Sequence, residues 1–264
     1  MNQSIRYLAI TAMSSLAFIA CGGSDNNNGP SGGALTQPNT AKVLVANLAA
    51  LNPNQTVSKN QTGTAVVTIN GDQIDVVVNA TGTDPNIMHM AHIHKGNRCP
   101  NTITDDVNRD GVLDVIEGVP SYGPILVAFG TNLSSLAQAQ AGGAPMADAT
   151  GTFNYRGTGS FSALVADLHN RADLPAATGV GKLAPNEDFV PEMGVIVVHG
   201  VSQSTVLPAT VATVTGLTPQ GSVPILCGRL QPQVVPAGAS PAPSATPAPS
   251  ATPASSPMPS LGPM

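Results

Sequence analysis

Asn70-Gly71, followed by Asp72, separates two short apolar runs, Gly63-Thr-Ala-Val-Val-Thr-Ile-Asn70 and Gln73-Ile-Asp-Val-Val-Val-Asn79. Asn-Gly supplies the positive φ angles of a tight hairpin turn, so the two runs are expected to fold back on each other as antiparallel strands. That pairing commits the chain to a sheet. Further short runs rich in β-branched residues follow the same pattern: Ala41–Leu48, Pro124–Phe129, Gly151–Arg156, Met193–Gly200 and Val223–Leu230. Phe161–Arg171 carries apolar residues at helical spacing and predicts one short helix. The Ala-, Gln- and Gly-rich segment from Leu133 to Asp148 is assigned no regular structure. Many short strands, turn signals and little helix predict an all-β fold, a Greek-key β-sandwich or barrel with long loop insertions.

Trp is absent and aromatics are 3%, so the core has to be built from Val, Ile, Leu and Ala. A formal charge of −5 and the lack of any Lys/Arg cluster argue against a nucleic-acid partner. Arg6 precedes an uncharged apolar run from Tyr7 to Ala20, which reads as a signal peptide over residues 1–20, too short at its apolar core to span a membrane. Ala20 directly before Cys21 resembles the lipobox of bacterial lipoproteins, with Phe18 where Leu is usual. The resemblance implies lipidation at Cys21, a flexible tether over 21–37 and attachment to a membrane through the lipid anchor. Gly22 is not the aspartate of an inner-membrane retention signal, so the expected place is the cell envelope, at the outer membrane or cell surface. At the other end, residues 236–264 are uncharged and repeat Pro-Ala-Pro-Ser-Ala-Thr, the composition of a disordered, polyproline-like spacer. One β domain is left, at 38–235. Outside the cytoplasm the two remaining cysteines, Cys99 and Cys227, are most simply a disulfide.

Met88-His-Met-Ala-His-Ile-His94 holds three of the five histidines. His92 and His94 are two apart, so on a strand both imidazoles leave the same face, as two ligands of one metal must. Met88 and Met90 are either soft ligands for reduced copper or core packing. Asp106, Asn108, Asp110, Gly111, Asp114 and Glu117 then occupy positions one, three, five, six, nine and twelve of the EF-hand loop pattern, with Leu113 at the apolar eighth position. Calcium is a hard cation that takes oxygen ligands; Val112 would offer its carbonyl, Gly111 the sharp turn and Glu117 a bidentate carboxylate. Cys99-Pro100 before the loop and Gly118-Val-Pro120 after it argue against flanking helices, and so against a paired sensor. The expected role is structural.

The order of these residues resembles the copper/zinc superoxide dismutase superfamily, including its chordin-type (CHRD) relatives, over about Ala41 to Pro232. The family's Leu-His-Gly-Phe-His-Val-His is matched in spacing by Met88–His94, its Val-Val-His strand by Val197-Val198-His199, and its half-cystines by Cys99 and Cys227-Gly228. The resemblance implies copper bound by His92, His94 and His199, with His89 as a structural, hydrogen-bonding histidine. No histidine lies between His94 and His169, so the family's bridging and zinc-loop histidines have no counterpart in order. Its substrate-guiding arginine is replaced by Pro224 or a neighbour, and His169, beside Asp167 and Arg171, reads as a surface residue. Three functions follow as expectations. The first is a copper-binding envelope lipoprotein with weak or no dismutase activity. The second is a non-catalytic CHRD-like module that binds a protein or matrix partner, stabilised by calcium and the disulfide. The third is an active copper-dependent dismutase.

Overall fold

The expected hairpin forms, with one change of detail. In the structure, a computed structural model that describes residues 41–53, 60–141, 143–173 and 178–233, Asn70 is itself the last residue of a strand and pairs with Gln73. The two-residue turn is therefore Gly71-Asp72, and Gly71 alone takes the positive φ, 56°. The expected signal peptide, the expected lipidation at Cys21, the expected tether and the expected disordered tail lie outside the described residues.

Among the described residues nine strands make one sheet: β1 (Lys42–Ala50), β2 (Thr62–Asn70), β3 (Gln73–Thr81), β4 (Met90–His94), β5 (Ile125–Ala128), β6 (Phe153–Ser160), β7 (Val195–His199), β8 (Pro224–Arg229) and β9 (Gln231–Pro232). Their order is β5-β4-β7-β8-β1-β2-β3-β6, with β9 beside β1, and the strand ladders are antiparallel. Non-sequential neighbours, β4–β7, β8–β1 and β3–β6, bring distant parts of the chain side by side. The sheet curls into a half-barrel. Its two ends in the strand order are drawn together where the Tyr155 hydroxyl of β6 donates to the Gly130 carbonyl just past β5 (2.7 Å) and Phe129 stacks on Tyr155 (5.1 Å between centroids).

Alternation along each strand fixes which residues face the main core. On β4, Ala91 and Ile93 point into it; on β7, Ile196 and Val198 do so. Val195 and Val197 face the other way, into a smaller cluster with Leu113, Tyr122 and Cys227. This second face, covered by the 95–123 segment, is where His92, His94 and His199 emerge.

The expectation of one helix is too low. Among the described residues there are four α-helices: α1 (Val115–Tyr122), α2 (Leu136–Ala141), α3 (Phe161–Asn170) and α4 (Pro219–Ser222). α3 is the expected one, and α2 falls in the segment assigned no structure. α1 contradicts the inference that Gly118 and Pro120 stop a helix after the acidic loop. Its start is fixed by a reciprocal capping box: the Asp114 carboxylate accepts from the Ile116 and Glu117 N–H groups, and Glu117 accepts from the Asp114 N–H. Pro120 removes one backbone donor, a loss that a single capped helix of eight residues, packed against the sheet, absorbs.

Candidate metal centre

β4 and β7 pair directly, with His92 opposite Val197 and Met90 opposite His199. The three imidazoles therefore converge, with ring centroids 5.3 Å apart for His92–His199, 5.5 Å for His92–His94 and 5.8 Å for His94–His199. Each offers one ligand nitrogen, and these nitrogens all lie within 4.8 Å of one another.

The backbone decides which nitrogen each ring presents. Nδ1–H of His94 donates to the Gly123 carbonyl (2.8 Å), and Nδ1–H of His199 donates to the Ser222 carbonyl (2.8 Å). A carbonyl only accepts, so each ring is held as the Nδ1–H tautomer with its Nε2 lone pair free. Nε2 of His94, Nε2 of His199 and Nδ1 of His92 are buried and have no hydrogen-bond partner in the protein. Three buried ring nitrogens without a partner in the protein, from side chains whose ligand atoms lie within 4.8 Å of one another, are costly unless something in the site meets them.

Burial also keeps the rings uncharged. It pulls the pKa of His94 down to about 3 and of His199 to about 4, with the neighbouring His199 adding to the shift at His94. His92 is lowered well below the usual histidine value, by burial first and then by His199 and His94. Neutral imidazole is the metal-binding form, so at neutral pH no proton has to be displaced.

Tyr122, at the end of α1, closes one wall with its ring 4.6 Å from His94 and its hydroxyl donating to the Val115 carbonyl (2.8 Å). Burial, aided by the Asp114 carboxylate, pushes its phenol pKa up, so it remains neutral. The cleft over the nitrogens is about 30 Å³, room for a water-sized ligand, and is lined by Met90, Val115, Val119, Ile125, Val214 and Leu217 besides the histidines. Among the described residues no Lys or Arg lines it, and Pro224 begins β8 opposite His199.

His89, the residue before β4, is turned to the opposite, core side. It is fully buried, stands edge-on to Phe153, and its ring nitrogens lie 3.2 Å from the His199 carbonyl and 3.1 Å from the Asp84 carbonyl. It ties the start of β4 to the end of β7. His169 sits on α3 and is not part of the cluster. Cys99 and Cys227 form a disulfide, with Cα atoms 5.8 Å apart, that pins the loop after β4 to β8.

The acidic loop folds on its own side chains. Asp106 accepts from the Gly111 N–H (2.9 Å), Asn108 from Asp110 (2.8 Å) and Asp110 from Val112 (2.8 Å). Gly111 has φ 88°, and Leu113 is fully buried, as the pattern requires. Glu117 accepts from the Val107, Asn108 and Asp114 N–H groups at 2.9, 3.0 and 3.1 Å, tying the twelfth position back to the start of the loop. Asp106 keeps one buried oxygen without a partner. The carboxylates are not gathered as the histidines are: among the described residues, the histidine set is the one group of three or more acidic, His or Cys side chains with ligand atoms within 4.8 Å.

Several parts of the site have no residue-type signal. The Gly123 and Ser222 carbonyls are backbone groups that any residue could supply. Tyr122 and Asn52 could have drawn notice only as a rare aromatic and an Asn before Pro. Asn52, buried in the left-handed region at φ 61°, accepts from the Leu113 N–H (2.7 Å) and donates to the Leu113 and Pro224 carbonyls (3.2 Å each). It joins the acidic loop, β8 and the end of β1. No protein-family model and no curated protein matches the chain.

Proposed function

We propose that the protein is a copper-binding cell-envelope lipoprotein whose β domain is a Greek-key fold of the superoxide-dismutase-like type. The observation that carries the reading is the set of three buried, unpartnered ring nitrogens, Nδ1 of His92 and Nε2 of His94 and His199, converging from two strands. Imidazole nitrogens suit copper, and carbonyl-fixed tautomers are how proteins orient such ligands. The fold type is supported by the strand order, in which β4 and β7 become neighbours although about a hundred residues of chain separate them.

Copper bound here would supply a one-electron couple open to a small ligand through the cleft. The residues of this chain hold the rings neutral, shield them with Tyr122 and exclude bulk water with apolar side chains. Among the described residues the site has neither a bridging histidine nor a cation to draw in an anion, so dismutase turnover is weak or absent. Calcium in the Asp106–Glu117 loop is a structural companion, supported by the orphaned Asp106 oxygen and the side-chain-to-backbone bonds that shape the loop.

The test is copper titration of the purified chain together with superoxide decay, for the wild type and His199→Ala. The reading expects one tightly bound copper in the wild type, loss of that binding in the variant, and little dismutation by either. If the wild type took up no copper, the reading would give way to the calcium- and disulfide-stabilised binding module.

A further inference from the structure

Two methionines precede His92 and His94: Met88, in an isolated bridge just ahead of β4, and Met90, the first residue of β4. His89, Ala91 and Ile93 are buried on the core side. Met88 and Met90 alternate with them and therefore share the face of His92 and His94. Met90 is half-buried, lies opposite His199 in the β4–β7 register and lines the cleft over the three imidazoles. Met88 is 58% exposed and is bridged to Met146, which is 62% exposed. The bonds around that bridge run from the His89 N–H to the Pro145 carbonyl and from the Ala147 N–H to the Ile87 carbonyl. Met88 and Met146 are thus the closely spaced, non-hydrogen-bonded kind of antiparallel pair, with Cα atoms about 4.5 Å apart and side chains on one face.

We propose that the surface pair Met88 and Met146 is an entry site for monovalent copper, which passes along the strand face by way of Met90 to His92, His94 and His199. The proposal rests on the copper reading of the histidine site and adds the oxidation state and the route. Thioether sulfur is a soft ligand that selects Cu(I) and binds Cu(II) weakly. One exposed methionine needs no explanation. Here two exposed methionines sit opposite each other in a bridge, and a third follows two residues on, about 6.6 Å along an extended chain, where it lines the cleft. The row grades from two soft ligands in solvent to one half-buried thioether to three buried imidazoles, an order that captures an ion loosely and retains it tightly. An uncharged, apolar cleft suits a monovalent ion better than a divalent one, because less charge is taken out of water.

The experiment follows copper uptake by the full chain under anaerobic conditions, with Cu(I) supplied from a chromogenic chelator complex and Cu(II) supplied separately as a weak complex. Met88→Leu/Met146→Leu keeps side-chain volume and should slow Cu(I) uptake by about tenfold, leaving the final one-copper stoichiometry and the rate with Cu(II) unchanged. Met90→Leu should lower Cu(I) affinity by about tenfold while changing Cu(II) affinity little. Cu(I) uptake by the double variant at the wild-type rate would overturn the entry site while leaving the histidine site intact, and an unchanged Cu(I) affinity in Met90→Leu would remove Met90 from the route. Wild-type copper binding by His199→Ala is a separate outcome and would overturn the underlying copper reading instead.

Discussion

Acidifying the metal-free protein from pH 7.5 to pH 5 should strip away a large part of its stability, and the histidine cluster sets the amount. His94 and His199 are buried, with folded pKa values of about 3 and about 4 against an ordinary value of 6.5. Folding lowers these values, so below 6.5 the unfolded chain binds protons that the folded chain refuses. Stability is full above 6.5 and falls as the pH drops towards the folded values. At pH 5 the loss is about 2 kcal/mol for each residue, or about 4 kcal/mol for the pair, before His92 is counted. Against a whole-domain stability of about 5–15 kcal/mol this is a large fraction. Carboxylates confuse the result little, because those with lowered values, such as Asp105 beside Arg98 at about 2, lose their contribution only at lower pH. Urea unfolding followed by circular dichroism at pH 7.5, 6 and 5 gives the change directly. His199→Leu should roughly halve the pair's pH-dependent loss. Stability that stayed flat between pH 7.5 and 5 would show that the rings are solvated or already paired, and would refute the orphaned-nitrogen description of the site.

Replacing both Cys99 and Cys227 with Ser opens a link across 128 residues and should cost about 4 kcal/mol, measured as a lower urea midpoint against the oxidised wild type. Asn52→Ala leaves the Leu113 amide and two carbonyls short of a partner and puts Ala at a positive φ, so about 3 kcal/mol should be lost. Calorimetry should detect calcium uptake by the wild type and weaker uptake by Glu117→Gln, whose side chain removes a charge from the loop. No heat of binding at millimolar calcium would mark the loop as a self-capped acidic turn.

The sheet was readable because strand periodicity is short-range. Alternation in Gln73–Asn79 and in Met88–His94 states which side chains share a face, and Asn70-Gly71 marks the hairpin between β2 and β3. The same alternation placed His92 and His94 together correctly, whereas their meeting with His199 was expected only from the family resemblance, since no local pattern links β4 to β7. α1 is hidden in the sequence because Gly118 and Pro120 are helix breakers and Asp114 and Glu117 fit the calcium-loop pattern. In the structure those two side chains also make the capping box that starts the helix. α2 has no clear sequence signal, because six residues of Leu, Ala and Gln carry too little periodicity to tell a helix from a loop. Met146 and the carbonyls of Gly123 and Ser222 matter by position in space, a property that composition and spacing do not encode.

The most direct measurement is elemental analysis of the protein purified without added metal from copper-supplied cells, with His199→Ala prepared in parallel. One copper per wild-type chain and close to none in the variant is the expected result. Equal copper in the two, or a metal-free wild type whose three imidazoles titrate as ordinary solvent-exposed histidines, would contradict it.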